Sequence, residues 1–163
     1  MAGPETIEVL SEDDTRRAGA LLGGLARPND VIGLIGGLGA GKTAFAQGMA
    51  RGLGVEGHVP SPTFNLLLVH PGAHTFYHFD LYRLERPDEL EEIDLRETVE
   101  TGGVTAIEWA DRFPGEMPAD RLEITFEVLD EEGRRLRPRG IGARSHLLAA
   151  QWMDAWGAGE RTE

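Results

Sequence analysis

Residues 36–43 have the residue types and the spacing of a phosphate-binding loop. They read Gly-Gly-Leu-Gly-Ala-Gly-Lys-Thr and match the pattern G-x-x-x-x-G-K-[ST] in full. Glycines let the backbone turn its N–H groups around an anion, the lysine ammonium reaches the β- and γ-phosphates, and the threonine hydroxyl ligates Mg²⁺. Lys42 is the only lysine of the chain, and arginine fills the other fifteen Lys/Arg positions. The expected nucleotide-binding residues of this loop are Gly36, Gly37, Leu38, Gly39, Ala40, Gly41, Lys42 and Thr43.

Two acids, Asp80 and Glu108, lie where strands are expected to end. Asp80 belongs to the aromatic run Tyr-His-Phe-Asp-Leu-Tyr-Arg at 77–83, and Glu108 follows the apolar run Val-Thr-Ala-Ile at 104–107. An acid in such surroundings is costly unless it meets a cation or water. Strand ends also deliver side chains to the ligand crevice of an open α/β sheet. Asp80 is the leading candidate for a Walker B carboxylate, and either acid could hold Mg²⁺ or orient the attacking water.

The segment Ser-Pro-Thr-Phe at 61–64 lies where a segment that senses the γ-phosphate is expected. Pro60 and Pro62 stiffen this segment, whose hydroxyls are candidates to contact the nucleotide or the metal. We therefore count Thr63 among the expected nucleotide-binding residues. A plain loop that enters a strand is the alternative.

ATP is the expected nucleotide by elimination. Guanine selection requires Asn-Lys-x-Asp, and the single lysine already lies in the glycine loop. Residues 130–133 match the D-x-x-G element of GTPases, but their position between two strand-like runs indicates a hairpin turn. Two alternatives stay open: a small-molecule kinase that uses the same loop, and a protein that binds partners under ATP control without hydrolysing it.

Composition bounds the partners and the compartment. A formal net charge of −12 works against nonspecific binding to nucleic acid, so any role on RNA is expected to run through a protein partner. The five arginines between residues 134 and 144 are interpreted as a solvated face, with RNA contact as the weaker alternative. The lack of cysteine excludes thiolate catalysis. No apolar run is long enough for a membrane span and no export leader is recognised, so a cytoplasmic protein is expected.

The hydrophobic pattern predicts a single α/β domain. It has three layers, with helices on both faces of a mixed, partly parallel sheet, over residues 1–156, followed by a frayed tail at 157–163. Strands are predicted at 6–10, 31–35, 64–70, 75–84, 104–109, 122–129 and 136–143. Helices are predicted from a capping box at Ser11 to the stop at 28–30, and at 42–53, 87–99 and 145–156.

Four motifs of this chain occur together in one order: Gly-Leu-Gly-Ala-Gly-Lys-Thr at 37–43, Ser-Pro-Thr-Phe at 61–64, His-Phe-Asp-Leu-Tyr-Arg at 78–83 and Ile-Glu-Trp at 107–109. The set resembles the bacterial TsaE family, the P-loop ATPase of tRNA threonylcarbamoyladenosine synthesis, over about residues 11–129. The resemblance implies a P-loop NTPase fold and a slow, Mg²⁺-dependent ATPase stimulated by a TsaB–TsaD complex. That complex transfers threonylcarbamoyl to adenosine 37 of tRNAs that read ANN codons.

The resemblance also implies roles for individual residues. Thr43 and Glu108 would serve Mg²⁺, with Asp80 as a further candidate ligand, and Asp80 and Trp109 would help form the catalytic site together with Lys42. Thr15 would approach the adenine. The chain departs from the family pattern at two positions: residue 37 is glycine where aspartate is common, and residue 94 is aspartate where glycine is frequent.

Overall fold

A seven-stranded mixed sheet organises the chain. The computed structural model describes residues 5–57, 59–60 and 66–161. The strands are β1 (Ile7–Val9), β2 (Val31–Ile35), β3 (Leu67–His70), β4 (Phe76–Asp80), β5 (Val104–Glu108), β6 (Arg121–Val128) and β7 (Arg134–Ile141). Their order in the sheet is β1-β7-β6-β2-β5-β4-β3. The pairs of β2 with β5 and β6, and of β4 with β5, are parallel, whereas the outer pairs are antiparallel.

Helices cover both faces of this sheet. They are α1 (Glu12–Leu25), α2 (Lys42–Gly52), α3 (Glu89–Glu92), α4 (Leu95–Val99) and α5 (Ala143–Arg161). One buried apolar cluster joins the sheet to α1, α2 and α5, and a second joins the opposite face to α3 and α4. The alternation of side chains along a strand explains the division, since Ile32 and Leu34 belong to the first cluster and Val31 to the second. The three-layer fold with a mixed, partly parallel sheet is confirmed.

The start of α1 is close to the prediction. Ser11 caps the helix with its hydroxyl, which accepts a hydrogen bond from the Asp14 N–H at 3.1 Å. The Asp14 carboxylate in turn accepts a hydrogen bond from the N–H of Leu10, also at 3.1 Å, rather than from the N–H of the cap residue. The cap therefore works as a capping box displaced by one residue.

Helices α1 and α2 touch backbone to backbone through glycine. A Cβ added at Gly48 would overlap the carbonyl oxygen of Arg16 and lie 2.8 Å from its carbonyl carbon. Added Cβ atoms at Gly19, Gly23 and Gly52 would likewise overlap carbonyl oxygens of the facing helix. These residues allow an approach that no larger side chain permits, and the approach brings the first turn of α1 beside the loop that precedes α2.

Most predicted boundaries differ from the structure by a few residues, as for β7, and three elements differ more. The helix predicted at 87–99 is two short helices, because Asp94 takes a left-handed conformation (φ 54°) that ends α3 before α4 begins. The strand predicted at 75–84 ends at Asp80, after which the chain turns, with the Leu84 N–H bonded to the Leu81 carbonyl at 3.1 Å.

The last helix, α5, continues to Arg161 instead of ending at Trp156. The Arg17 guanidinium stacks on the Trp156 ring at 4.1 Å, which holds the end of α5 against α1. Within the described ranges, no helix has the length and apolar character required to cross a bilayer.

Candidate functional site

The glycine loop connects β2 to α2 along an open cleft. Gly39 and Gly41 have left-handed backbone conformations, with φ of 76° and 104°, which non-glycine residues rarely adopt. Added Cβ atoms at Gly37 and Gly39 would meet nothing within 4 Å, so this side of the loop faces open space. The loop therefore has room beside its backbone for a ligand.

Lys42 is held at the rim of this loop. Its Nζ donates hydrogen bonds to the carbonyls of Gly36 at 2.6 Å and Gly37 at 2.7 Å, and it lies 4.1 Å from the centre of the Trp109 ring. Only 4% of the residue is exposed. Burial lowers the pKa of Lys42, while the nearby carboxylates, Glu108 foremost, raise it in part.

Thr43 and Glu108 meet across the cleft. The Thr43 hydroxyl lies 3.0 Å and 3.1 Å from the two carboxylate oxygens of Glu108, to which it donates. His78 holds the same carboxylate from the other side, with Nε2 at 2.6 Å from Oε2. We assign the imidazole proton to Nε2, because an ionised carboxylate only accepts hydrogen bonds. The Glu108 carboxylate is therefore fixed between two side chains.

Asp80 is the neighbour of Glu108 in the sheet. The two residues are paired Cα partners at the ends of the parallel strands β4 and β5. The Tyr82 N–H donates to Asp80 Oδ1 at 3.0 Å. Burial raises the pKa of Asp80; the Tyr82 N–H lowers it in part, and the negative charge of Glu108 raises it further. Two carboxylates thus share one edge of the cleft with an excess of negative charge.

Trp109 forms the wall below Lys42. Its backbone is left-handed (φ 62°) and its N–H donates to the carbonyl of Leu34 at 2.9 Å, which turns the chain sharply after Glu108. The ring lies 5.1 Å from that of Tyr82, tilted by 40°. A non-glycine residue rarely takes this conformation, and such strain is concentrated at functional sites.

The cleft has a volume of about 350 Å³, within the range of pockets that bind small molecules. At its far end α1 contributes Thr15 and Glu12. Thr15 is buried, its hydroxyl donates to the Ser11 carbonyl at 3.2 Å, and its Cγ2 lies 3.6 Å from the place of a Cβ at residue 41. The loop residues from Leu38 to Thr43 also line the cleft, whereas Gly36 is packed against Phe126.

Thr63 and its segment, 61–64, lie outside the described residues, so the expected contact of Thr63 with the nucleotide stays a prediction.

The sequence did not predict the roles of two further residues of the site, His78 and Arg134. His78 supports Glu108 from a diagonal position on the adjacent strand, which is visible only once the register of the strands is known. Arg134, interpreted from sequence as part of a solvated face, lines the cleft and binds carbonyls of the glycine loop.

The model of one protein family, Threonylcarbamoyl adenosine biosynthesis protein TsaE, matches residues 9–136. The chain belongs to the TsaE family. Among curated relatives, the TsaE protein of Treponema pallidum is 40% identical over 126 residues, which cover 77% of this chain and 93% of that protein. The TsaE protein of Bacillus subtilis is 35% identical over 143 residues, covering 87% and 89%. Both carry the name tRNA threonylcarbamoyladenosine biosynthesis protein TsaE.

A solved structure agrees with this membership. The crystal structure of Bacillus subtilis YdiB superposes on this TsaE chain with a TM-score of 0.79 at 29% identity, covering 92% of this chain and 94% of the other. The family therefore gives the biological process, tRNA threonylcarbamoyladenosine biosynthesis, and the shared fold extends to nearly the whole chain.

The donor set of the cleft suits a magnesium nucleotide. Mg²⁺ prefers oxygen ligands and is commonly held by one or two carboxylates together with substrate phosphates. Thr43, Glu108 and Asp80 offer a hydroxyl and two carboxylates. Burial is the main cause of the raised pKa of Asp80, and the negative charge of Glu108 adds to it, so a cation beside the two carboxylates would offset their repulsion. The open glycine loop and Lys42 provide the complementary surface for phosphate oxygens.

Proposed function

We propose that this TsaE chain binds ATP with Mg²⁺ in the cleft and hydrolyses the ATP during tRNA threonylcarbamoyladenosine synthesis. Turnover is slow for the isolated chain and is stimulated by a TsaB–TsaD complex. The observation that carries the proposal is the contact of the Thr43 hydroxyl with the Glu108 carboxylate, at 3.0 and 3.1 Å. It joins the end of the glycine loop to an acid at a strand end, the pairing that nucleotide-bound Mg²⁺ requires.

Each side chain of the cleft has a distinct part in this proposal. Lys42 supplies a buried positive charge, oriented by two loop carbonyls and by the Trp109 ring. Glu108, fixed by His78 and Thr43, holds the metal. Bound Mg²⁺ supplies neutralisation of phosphate charge. Thr43 and Glu108 already lie in contact, which favours catalysis by positioning and electrostatics.

Asp80 is suited to orient a water molecule and accept its proton. Its pKa is raised, mainly by burial, which moves this carboxylate toward the range in which a general base works near neutral pH. Its backbone partner, the Tyr82 N–H, fixes Oδ1. Asp80 therefore acts as base while Glu108 serves the metal, an assignment that separate substitutions can test.

Two observations support the proposal of a partner complex: the net charge of the chain, and the hydrogen bonds that already engage the cations of the cleft. A formal net charge of −12 disfavours direct adhesion to tRNA, so the tRNA is contacted through TsaB and TsaD. Both cations that line the described part of the cleft, Lys42 and Arg134, are engaged with loop carbonyls. Such engagement supports low turnover in isolation. The cytoplasmic location stays a prediction.

The deciding experiment measures ATP affinity by calorimetry and phosphate release with and without TsaB–TsaD and tRNA. Lys42→Ala is expected to abolish nucleotide binding. Glu108→Ala is expected to retain binding and to lower hydrolysis by about 100-fold or more, in the range of a lost catalytic group. Glu116→Ala, which removes an exposed carboxylate outside the cleft, is the matched control.

The outcomes separate the alternatives. Undiminished hydrolysis in both Lys42→Ala and Glu108→Ala contradicts the proposed site. ATP consumption that rises with a small phosphoryl acceptor, and not with the protein partners, favours the small-molecule kinase. ATP-dependent assembly with TsaB–TsaD and no phosphate release favours a binding protein that does not hydrolyse ATP.

A further inference from the structure

Arg134 lies between the turn at 130–133 and the glycine loop. It is the first residue of β7, and on that strand it shares a face with the buried Leu136, the face that α1 and α2 cover. Its guanidinium has five N–H donors in a fixed planar arrangement. All the hydrogen bonds that the structure gives this group run to backbone carbonyls, on both sides of it.

One side of the guanidinium is anchored on the turn. Its Nη1 donates to the carbonyls of Asp130 at 2.9 Å, Glu131 at 3.3 Å and Gly133 at 2.8 Å. The turn is itself held by the Asp130 carboxylate, whose Oδ1 accepts from the N–H groups of Glu132 at 3.2 Å and Gly133 at 2.7 Å. Because these hydrogen bonds fix the turn, the turn in turn fixes the position of the guanidinium relative to the loop.

The other side of the guanidinium reaches the glycine loop. Nη2 donates to the Gly39 carbonyl and Nε to the Ala40 carbonyl, both at 3.1 Å. Lys42 binds the carbonyls of Gly36 and Gly37 at the opposite end of the same loop. Two cations thus hold four loop carbonyls, and a loop whose carbonyls are held by cations can present its N–H groups to an anion.

We propose that Arg134 is a positioning residue, which presets the glycine loop for phosphate by holding the carbonyls of Gly39 and Ala40 against the fixed turn. This role rests on the proposed ATP binding for its functional consequence, but the ordering of the loop is a property of the protein without nucleotide. Arg134 acts through the loop backbone, since its donors are directed at carbonyls. The planar fork matters, because a lysine ammonium is a point donor that cannot bridge the three carbonyls of the turn and the two carbonyls of the loop.

The next residue, Arg135, provides a matched control. Its side chain is directed to the other face of β7, where it pairs with Glu8 at 2.9 Å and Glu127 at 3.4 Å. Arg135→Ala therefore removes the same side chain from the same strand, together with two ion pairs, without touching the loop. Arg134→Lys is the conservative variant. It keeps the positive charge but can form fewer hydrogen bonds, so its loop order and ATP affinity are expected to lie between those of the unsubstituted protein and those of Arg134→Ala.

The test compares Arg134→Ala, Arg134→Lys and Arg135→Ala in two measurements. The first is backbone ¹⁵N relaxation of loop residues 36–41 without nucleotide. Arg134→Ala is expected to lower their order parameters from about 0.85 toward about 0.6 or below, with the other described elements unchanged. The second is ATP affinity by calorimetry, expected to weaken by about 10- to 100-fold in Arg134→Ala, the range for loss of hydrogen bonds from a charged donor. Arg135→Ala is expected to leave both unchanged.

Chemical rescue separates positioning from general structure. Guanidinium ion, added to Arg134→Ala below the concentrations that unfold the protein, is expected to restore part of the ATP affinity. The proposal is overturned if Arg134→Ala has the same loop order parameters and the same ATP affinity as Arg135→Ala. It is also overturned if Arg134→Ala lowers the order parameters of the whole domain as much as those of the loop. If the unsubstituted protein binds no ATP, the proposed function fails, and the relaxation measurement still decides the role of Arg134.

Discussion

Gly48→Ala tests the contact between α1 and α2 that brings the first turn of α1 to the cleft. A Cβ at this position would lie 2.8 Å from the carbonyl carbon and from the Cα of Arg16, whereas carbon atoms in contact are separated by about 3.5–4.0 Å. The helices would have to move apart by at least about 0.7–1.2 Å to clear these carbon atoms, and further to clear the Arg16 carbonyl oxygen, which lies nearer still. The opposing atoms belong to the backbone and cannot rotate away, so we take the upper end of the usual overpacking cost, about 3 kcal/mol.

Part of this cost is offset by helix propensity. Alanine favours a helix interior over glycine by about 1 kcal/mol, which leaves a net loss of about 2 kcal/mol. For a chain of this size, the melting temperature should fall by about 4–8 °C. Gly24→Ala is the matched control: residue 24 is exposed in α1, and an added Cβ there meets nothing within 4 Å. That variant should gain up to about 1 kcal/mol.

Thermal melts of both variants, with urea titration to obtain the free energy of unfolding, check this prediction. The reasoning is refuted if Gly48→Ala melts at or above Gly24→Ala, because the helices could then separate without cost. A second readout follows from geometry: moving α1 displaces Thr15 relative to the loop, so ATP affinity should fall in Gly48→Ala and not in Gly24→Ala.

Three further substitutions probe the charges and the core. Asp80→Asn should raise the melting temperature at neutral pH in the absence of metal and nucleotide. Burial raises the pKa of Asp80, so the ionised carboxylate lowers the stability of the folded protein. The gain in stability from the substitution should therefore shrink as the pH falls through that raised pKa. Asp120→Ala should lose about 1–2 kcal/mol at neutral pH in urea titrations. Burial raises the pKa of Asp120, but hydrogen bonds from Ser145 and the start of α5 hold it below its usual value, so the loss should disappear as pH falls through the lowered pKa. Trp152→Phe removes the indole bond to an α1 carbonyl at 2.9 Å and should cost about 1–2 kcal/mol in the same titrations.

Each of these has a contrary result. A gain from Asp80→Asn that stays constant across acidic and neutral pH contradicts the electrostatic cause. A loss from Asp120→Ala that persists unchanged in acid means that the carboxylate acts through shape and not through charge. A Trp152→Phe variant as stable as the unsubstituted protein means that the buried hydrogen bond contributes nothing measurable.

The parts of the site that sequence could predict are those decided by short spacing. The glycine loop is encoded within eight residues, and its strand and helix flank it directly, so β2, the loop and α2 follow from local pattern. Asp80 and Glu108 were expected at strand ends, and the parallel register places them side by side. This result required only that both strands end at the same edge of one sheet.

The rest depends on contacts between distant parts of the chain. Arg134 and Ala40 are 94 residues apart, and nothing near Arg134 distinguishes it from Arg135 or from the exposed Arg137. The break at Asp94 was also hidden, because an aspartate in an acidic helical pattern gives no sign of a left-handed backbone. The end of α5 was also hidden, because Gly157 and Gly159 favour a helix end, whereas the helix continues through both to Arg161.

The single lysine has a practical consequence. Among the side chains of these 163 residues, only Lys42 offers a primary amine, and this amine is buried against the glycine loop. Coupling to a sensor surface through side-chain amines, or cross-linking them with amine-reactive esters, would therefore attach these residues through the cleft itself and would block the binding that the experiment is meant to measure. Selective isotope labelling of lysine turns the same feature to advantage, since one ammonium resonance would report directly on the cleft.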